Sequence, residues 1–384
     1  MKRLYYEWGT RQVHKRGEEL CGDSLAVTRH SDYVTLALSD GLGSGVKANI
    51  LATLTTRIAM HLLENELPLG EVVQTLTETL PVDRVRKLAY STFAIAQFFR
   101  QGYARVVEFD APSTILLRGR KVQPVVYDER SIEGKTIHEA VLDLEFGDWV
   151  VFVSDGVLNA GIGGVYPLGW GWDQAAHFLE EQAHQDLTAD DLAGKIAEAV
   201  CDLYAGAPGD DVSIAVIKVR RKLVANIFTG PPADRDSDEE LVTRFLGRSG
   251  RRAVCGGTTG KIVARHLGQS LDVDLSTMTT EVPPMARLEG IDLVSEGILT
   301  LTRVSGFLQS GAGKKEVQYK NDGAACLLRL LLDADHIHFM VGQAVNPAHQ
   351  NPDLPHQLDI RMSVVREIAD ELRNRGKEVT MESI

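Results

Sequence analysis

Three consecutive pieces decide how this chain is read: Tyr33–Leu38 (YVTLAL), Ser39–Gly45 (SDGLGSG) and Val46–Leu63 (VKANILATLTTRIAMHLL). The first is apolar and β-branched, which predicts a strand. The third repeats apolar residues at helical spacing, which predicts a helix. Between them Asp40 is followed by Gly41, Gly43 and Gly45, which allow a tight reversal, and Ser44 with Gly45 suits a helix start. A carboxylate at such a bend stands where a backbone carbonyl can also approach a bound ion.

The same junction recurs in both directions along the chain, at Gly22-Asp23, Ser154-Asp155-Gly156 and Gly209-Asp210-Asp211. Taken singly, each is an ordinary turn. Their order is more specific, because apolar strand-like runs precede the second and third sites and follow the fourth. Carboxylates converging on one point repel unless a cation sits among them. Aspartate oxygens, a carbonyl and water make a hard-oxygen site suited to Mg²⁺ or Mn²⁺. Two such ions sharing a carboxylate can lower the pKa of a water and align it for attack on phosphorus. DGLGSG is not a dinucleotide fingerprint, since its third glycine is out of register.

Further strands are expected at Ser24–Thr28, Ser91–Phe99, Tyr103–Phe109, Thr114–Leu117, Asp148–Ser154 and Ser213–Val219, with an edge strand at Val122–Tyr127 limited by Pro124. Helices are expected at Leu69–Leu80, Gln174–Gln182 and Asp190–Leu203. Strands that do not alternate one by one with helices predict an α+β fold, two packed sheets with helices outside. A basic cluster, Arg220-Arg221-Lys222, and the Pro/Gly/acid-rich Thr229–Glu240 set a domain boundary near residue 220, dividing 1–220 from 221–384.

Five motifs in this order, GDSLAV, SDGLGSGVKAN, APSTILLRGR, VFVSDGVLNA and PGDDVSIAVIKV, resemble the PPM-type metal-dependent protein serine/threonine phosphatases, in their bacterial SpoIIE-like branch. The resemblance spans roughly residues 5–219. It implies a β-sandwich flanked by helices with a centre of two Mn²⁺ or Mg²⁺ ions at one edge. It also implies direct attack on phosphoserine or phosphothreonine by a water that the metals activate. Carried over by position, Asp40 is the carboxylate shared by both metals and the Gly41 carbonyl binds one of them. Asp155 and Asp210 serve the other, and Asp23 binds directly or through water. Asp40 and Asp23 are thus the candidate catalytic positions, with Asp211 supporting Asp210 from behind. Gly22 stands where many eukaryotic members have Glu, as in the bacterial branch, which implies one metal bound more weakly or with more water. The resemblance further implies a phosphorylated protein substrate, in this branch a small STAS-type (anti-anti-sigma) regulator. It also implies a coupling role for the helix Val46–Leu63.

Residues 221–384 read as a smaller α/β domain. Ser237-Asp238-Glu239-Glu240 has the form of a capping box before a helix Leu241–Leu246. A strand Arg252–Val254 leads into Cys255-Gly256-Gly257-Thr258-Thr259-Gly260-Lys261 and a helix Ile262–Leu267. Gly256, Gly257, Thr258 and Thr259 are candidate anion-binding residues, as a glycine-rich turn that opens a helix presents free amides. Cys255 and Ile262 exclude a Walker A loop. Glu296 occupies another acid–glycine turn after the strand-like DLVS. His336 and His338 alternate along a strand at Ile337–Val341, as exposed residues or as a metal pair. Asn346–Pro355 reads as a loop, and Arg361–Arg375 as an amphipathic helix.

With 384 residues, 44% of them hydrophobic, the chain has material for more than one core. Its net charge of -12 disfavours nucleic acid and anionic membranes as partners. No apolar run approaches a membrane span, and the N-terminus lacks a signal-peptide core, so a cytoplasmic protein is expected. Four scattered cysteines fit neither a zinc cluster nor a disulfide scaffold, and imply reduced, mostly buried thiols. No cysteine sits in a CxxxxxR loop, which leaves the cysteine-phosphatase route without support. His14, His30, His61, His177 and His184 lack ligand spacing. Two other functions remain open at this point: an inactive signalling scaffold, and nucleotide or anion binding through the C-terminal domain. Oligomeric state is open.

Overall fold

Alternation along the strands explains the layers of the first unit. In a strand, successive side chains leave opposite faces. Val34, Leu36 and Leu38 therefore point one way and Ala37 the other. The same holds at Val150 and Phe152 against Trp149, Val151 and Val153. Each sheet consequently has two apolar faces and needs cover on both. The computed structural model describes residues 3–79, 91–132, 134–344 and 357–384. It divides into two compact units, Met1–Arg221 and Lys222–Ile384.

The strands of the first unit are β1 (Tyr5–Val13), β2 (Asp23–Arg29), β3 (Tyr33–Gly41), β4 (Ser91–Phe99), β5 (Tyr103–Phe109), β6 (Ile115–Arg118), β7 (Lys121–Gln123), β8 (Asp128–Ile132), β9 (Lys135–Asp143), β10 (Trp149–Val153) and β11 (Val212–Arg220). Its helices are α1 (Gly45–Glu64), α2 (Leu69–Thr79), α3 (Asp155–Leu158), α4 (Trp172–Gln182) and α5 (Ala189–Leu203). One sheet has the order β2-β3-β4-β5-β9-β8 and the other β1-β11-β10-β6-β7, with antiparallel pairing throughout. Their facing sides bury Leu36, Leu38, Phe98, Val150, Phe152 and Ile217. The helices α1 and α2 cover the outer side of the first sheet through Met60, Leu63, Val72 and Leu76. Helices α4 and α5 cover the second through Leu179, Leu192, Ile196 and Val200. This is the expected α+β sandwich flanked by helices.

Three local expectations need correction. The edge strand read over Val122–Tyr127 stops at Gln123, because Pro124 offers no amide to a ladder. Ser44 stands at the N-cap of α1, but its hydroxyl donates to Glu18 Oε1 (2.8 Å) instead of capping the helix. Of the cysteines, all free, only Cys255 is fully buried.

The second unit contains β12 (Val224–Thr229), β13 (Arg251–Cys255), β14 (Asp272–Asp274), β15 (Met285–Leu288), β16 (Ile291–Ser295), β17 (His336–Val341) and β18 (Glu378–Ser383). Its helices are α6 (Asp238–Gly247), α7 (Gly257–His266), α8 (Ile298–Gln309), α9 (Lys314–Val317), α10 (Gly323–Asp333) and α11 (Gln357–Asn374). One sheet of order β14-β15-β16-β13-β12-β17-β18 carries helices on both faces, an α/β arrangement. Here too the details differ from expectation. Ser237 does not cap α6; a short 3-10 turn precedes that helix and the Ser237 hydroxyl donates to the Asp234 carbonyl. The helix read from Ile262 begins five residues earlier, at Gly257. His338 is buried, not exposed: its Nδ1 lies 2.8 Å from Thr380 Oγ1 and its Nε2 3.3 Å from Glu382, while His336 shares Thr380. The Asn346–Pro355 loop lies outside the described residues. No described helix is long and apolar enough to cross a membrane.

Candidate active site

The sandwich filling turns polar at one end. Leu38 and Leu25 face the opposite sheet, and two residues along, on the same faces, stand Asp40 and Asp23. These two are direct partners across the antiparallel pair β2–β3, so their side chains leave side by side. On the other sheet the same parity carries Phe152 to Ser154 and Ala215 to Ser213 and Asp211. Residues that would be core one turn of the pleat earlier are here acids and hydroxyls.

Close backbone contacts hold this mouth together. A Cβ on Gly156 would collide with the Asp211 carbonyl, so only glycine lets α3 sit against the Asp210–Asp211 turn. That contact brings Asp155, in the first turn of α3, beside Asp210. Tyr204 Oη, from the residue after α5, donates to the Gly156 carbonyl (2.8 Å). A Cβ on Gly41 would collide with the Ala48 carbonyl of α1. Asn49 Nδ2 donates to the Cys21 carbonyl (2.8 Å), and the Gly41 amide to the Gly22 carbonyl (3.3 Å). Helix α1 is thereby tied to both acid-bearing loops. Gly22 itself leaves the space that Asp211 Oδ2 approaches, 2.7 Å from where its Cβ would stand.

The electrostatics are those of crowded carboxylates at the mouth of the sandwich, with Asp23 buried, Asp40 half-buried and Asp155 exposed. Burial, then the charges of Asp23 and Asp155, pushes Asp40 up to about 9. Burial pushes Asp23 up to about 6, against the pull of the Ser213 and Ser154 hydroxyls, with Asp211 and Asp155 adding repulsion. Asp155 is also raised, chiefly by burial, with the Asp210 charge adding to the effect and the neighbouring Asp40 carboxyl opposing it. The Ser213 and Ser154 hydroxyls lie near Asp23, but neither makes a well-formed hydrogen bond to its two buried carboxylate oxygens. A buried ionised carboxylate left in that state is costly and requires a cation or a proton. Among the described residues, however, no three His, Cys, Asp or Glu side chains stand close enough to hold a metal between them. The donor chemistry and the orphaned Asp23 oxygens fit a divalent ion; the carboxylates are gathered but not closed around a point.

Two residues near the acids escaped the sequence reading. The Lys15 amide donates to Asp211 Oδ1 (3.0 Å), and Lys15 Nζ lies 3.7 Å from Asp210 Oδ1. Ser154 Oγ accepts from the Ser213 amide (2.9 Å) and so fixes the start of α3 on β11. The basic run His14-Lys15-Arg16 just before Gly22-Asp23 was the available signal for Lys15. Gly256, Gly257, Thr258 and Thr259 lie in the second unit, at the start of α7.

The family model described as Stage II sporulation protein E (SpoIIE) matches residues 30–220. The match covers just under half of the chain and makes this segment SpoIIE-like. The SpoIIE match takes in Asp40, Asp155 and Asp210 and leaves out Asp23 and the whole second unit. No curated protein matches the chain. Among solved structures the chain is similar to the PP2C phosphatase domain with a regulatory-domain fragment of the cell fate determinant SpoIIE from Bacillus subtilis. That similarity is 19% identity over 57% of this chain and 63% of that one, with a TM-score of 0.49. RsbX in complex with magnesium is 16% identical over 57% of this chain and 100% of its own, with a TM-score of 0.41. The Mycobacterium tuberculosis serine/threonine phosphatase PstP/Ppp is 15% identical over 56% and 99%, with a TM-score of 0.40.

Proposed function

We propose that the first unit is a metal-dependent phosphoserine/phosphothreonine protein phosphatase. The observation that carries this reading is the cross-strand pair of buried Asp23 and half-buried Asp40, close enough to Asp155 to feel its charge, with no well-formed hydrogen bond to either Asp23 oxygen. Asp23, Asp40, Asp155, Asp210 and the Gly41 carbonyl would hold two Mn²⁺ or Mg²⁺ ions. When bound, the ions would neutralise the transferring phosphoryl group and supply a water of lowered pKa. The protein's own part is to hold these oxygens at the ends of strands and in the turns that follow them. Asp211, fixed by the Lys15 amide, sets the turn that presents Asp210. Lys15 Nζ offsets one negative charge at the rim.

The proposed substrate is a phosphorylated regulator of STAS type, a proposal that follows from the family resemblance. Helix α1 supports docking of a protein near the site: Val46, Ile50 and Leu54, four residues apart, are all exposed on one face directly after the Asp40 loop. Charged substitutions there should change activation by a partner, and unchanged activation would remove the coupling role. The free cysteines favour a reducing, cytoplasmic setting. Retention of all four aspartates argues against an inactive scaffold.

The deciding test is hydrolysis of p-nitrophenyl phosphate with Mn²⁺, with EDTA, and by Asp40→Asn. The expected result is activity with Mn²⁺ that both EDTA and the substitution abolish. Activity indifferent to all three would overturn the proposal.

A further inference from the structure

The second unit holds a group of polar residues that the phosphatase chemistry does not use. Its five parallel strands lie in the order β16-β13-β12-β17-β18. Helices α6 and α7 pack on one face, and α8, α10 and α11 on the other. The chain therefore winds outward from β12 in one direction, then returns beside β12 as β17 and winds in the other. In open sheets of this kind, ligands bind outside the carboxyl ends of the strands, at that reversal.

The residues at those carboxyl ends change character accordingly. Leu293, Ala253, Ile227 and Phe339 form one continuous apolar rung across four strands. Two residues further along, Thr229 and Ser295 bring hydroxyls to either side of Cys255 in one rung, with Val341 beyond Thr229. Thr229 Oγ1 and Thr259 Oγ1 are fully buried and have no hydrogen-bond partner. Hydroxyls in that position ordinarily find one.

Three glycines keep the same place clear of side chains. Thr259 Oγ1 lies 3.2 Å from where a Cβ on Gly256 would stand, and that point is 3.9 Å from the Gly230 amide nitrogen. A Cβ on Gly230 would collide with the Arg361 guanidinium, and one on Gly297 would be 3.4 Å from the Gly256 Cα. Hydroxyl, amide and guanidinium thus gather around Gly230 and Gly256, both at positive φ. The α7 N-cap is Gly256, which supplies no side-chain cap. The first-turn amides of α7 consequently have no partner within the helix. By contrast α8 is served by Glu296, whose Oε2 accepts from the Leu299 amide (3.0 Å). Arg361 is half-buried and donates to the Gly342 carbonyl (2.9 Å); no described carboxylate is within ion-pair distance of it.

We propose that this carboxyl edge binds the phosphate group of a small phosphorylated molecule, through the α7 amides, the Thr259 hydroxyl and Arg361. An oxyanion satisfies in one step the uncapped helix dipole, the orphan hydroxyl and the half-buried cation. Glu296, close enough to feel Arg361, excludes a second anionic group on that side and offers an acceptor to a neutral hydroxyl.

The test uses the full chain in EDTA, which keeps the acidic site of the first unit out of the measurement. Pyrophosphate and ADP are titrated by calorimetry, with thermal unfolding in parallel. Binding is expected with a Kd below about 1 mM and a raised unfolding midpoint. Tighter binding of ADP would identify a nucleotide, and equal binding a bare phosphate group. Thr259→Val should leave the ligand-free midpoint unchanged or higher, because the lost hydroxyl has no partner, while weakening binding at least about tenfold. Arg361→Gln should weaken it by a similar factor. No binding up to about 10 mM, or the same affinity in both variants, would overturn the proposal. Failure of the phosphatase reading would leave this result untouched.

Discussion

The two units place polar groups at the ends of their strands in opposite ways. The first gathers like charges: Asp23, Asp40, Asp155 and Asp210, with burial raising three of them above the ordinary carboxylate range. The second gathers amides, hydroxyls and one guanidinium around glycines. Both arrangements suit phosphate, but only one can approach it unaided. A cluster of acids repels phosphate until cations intervene, whereas an uncapped helix start with an arginine attracts it directly. Dependence on divalent metal is therefore the property that should separate them.

The comparison breaks most sharply at Asp40. Asp40→Asn should lower Mn²⁺-dependent kcat/KM on p-nitrophenyl phosphate by about a thousandfold, or about 4 kcal/mol of barrier. The metal-free unfolding midpoint should hold or rise, because the neutral amide replaces an acid whose charged form burial and neighbouring acids disfavour. A midpoint that collapsed with the activity would show that Asp40 serves the fold instead. Gly41→Ala comes next. Its new Cβ meets the Ala48 carbonyl, so α1 must shift, with a loss of about 3 kcal/mol in denaturant unfolding. An unchanged midpoint would mean that α1 is not seated against the Asp40 loop.

The second unit should answer to pH through His338, a buried residue with no part in the proposed phosphate site. Burial holds His338 below its ordinary value of 6.5, with Arg248 adding to the effect and Glu382 opposing it. The folded state then binds fewer protons than the unfolded state, so stability is full above 6.5 and is lost as pH falls from 6.5 through the folded pKa. For one group the slope is at most about 1.4 kcal/mol per pH unit. Thermal melts of wild type and His338→Gln across that range should differ in slope, and identical slopes would remove His338 as the cause. The smallest effect is expected at Thr188, which closes a capping box with Asp191 at the start of α5. Thr188→Ala should cost about 1 kcal/mol and leave catalysis unchanged.

Much of the first unit was legible because its strands are buried on both faces. Trp149–Val153 is apolar throughout, and Ser91–Phe99 is mostly so, with Thr92 and Gln97 as its interior polar residues. The strands that escaped notice carry few apolar residues. In β9 (KTIHEAVLD) and β1 (YYEWGTRQV) only part of one face is covered, and β8 is exposed over most of its length. The edge strand β18 (EVTMES) is polar for the same reason, with Val379 its one buried apolar side chain. The four aspartates were legible from glycine spacing, but Lys15 and Ser154 were not. Lys15 meets Asp211 across 196 residues of sequence through its backbone amide, an atom that every non-proline residue shares. The start of α7 was missed because glycines are poor helix formers, and a helix-opening glycine pair reads as a loop until the fold is known.

The central claim is that the acids of the first unit are a divalent-cation site. Calorimetric titration of metal-free protein with Mn²⁺, wild type against Asp40→Asn, tests it most directly. The account predicts saturable binding to wild type with a large loss of affinity in the variant. Equal heats in both proteins, or none in either, would contradict it.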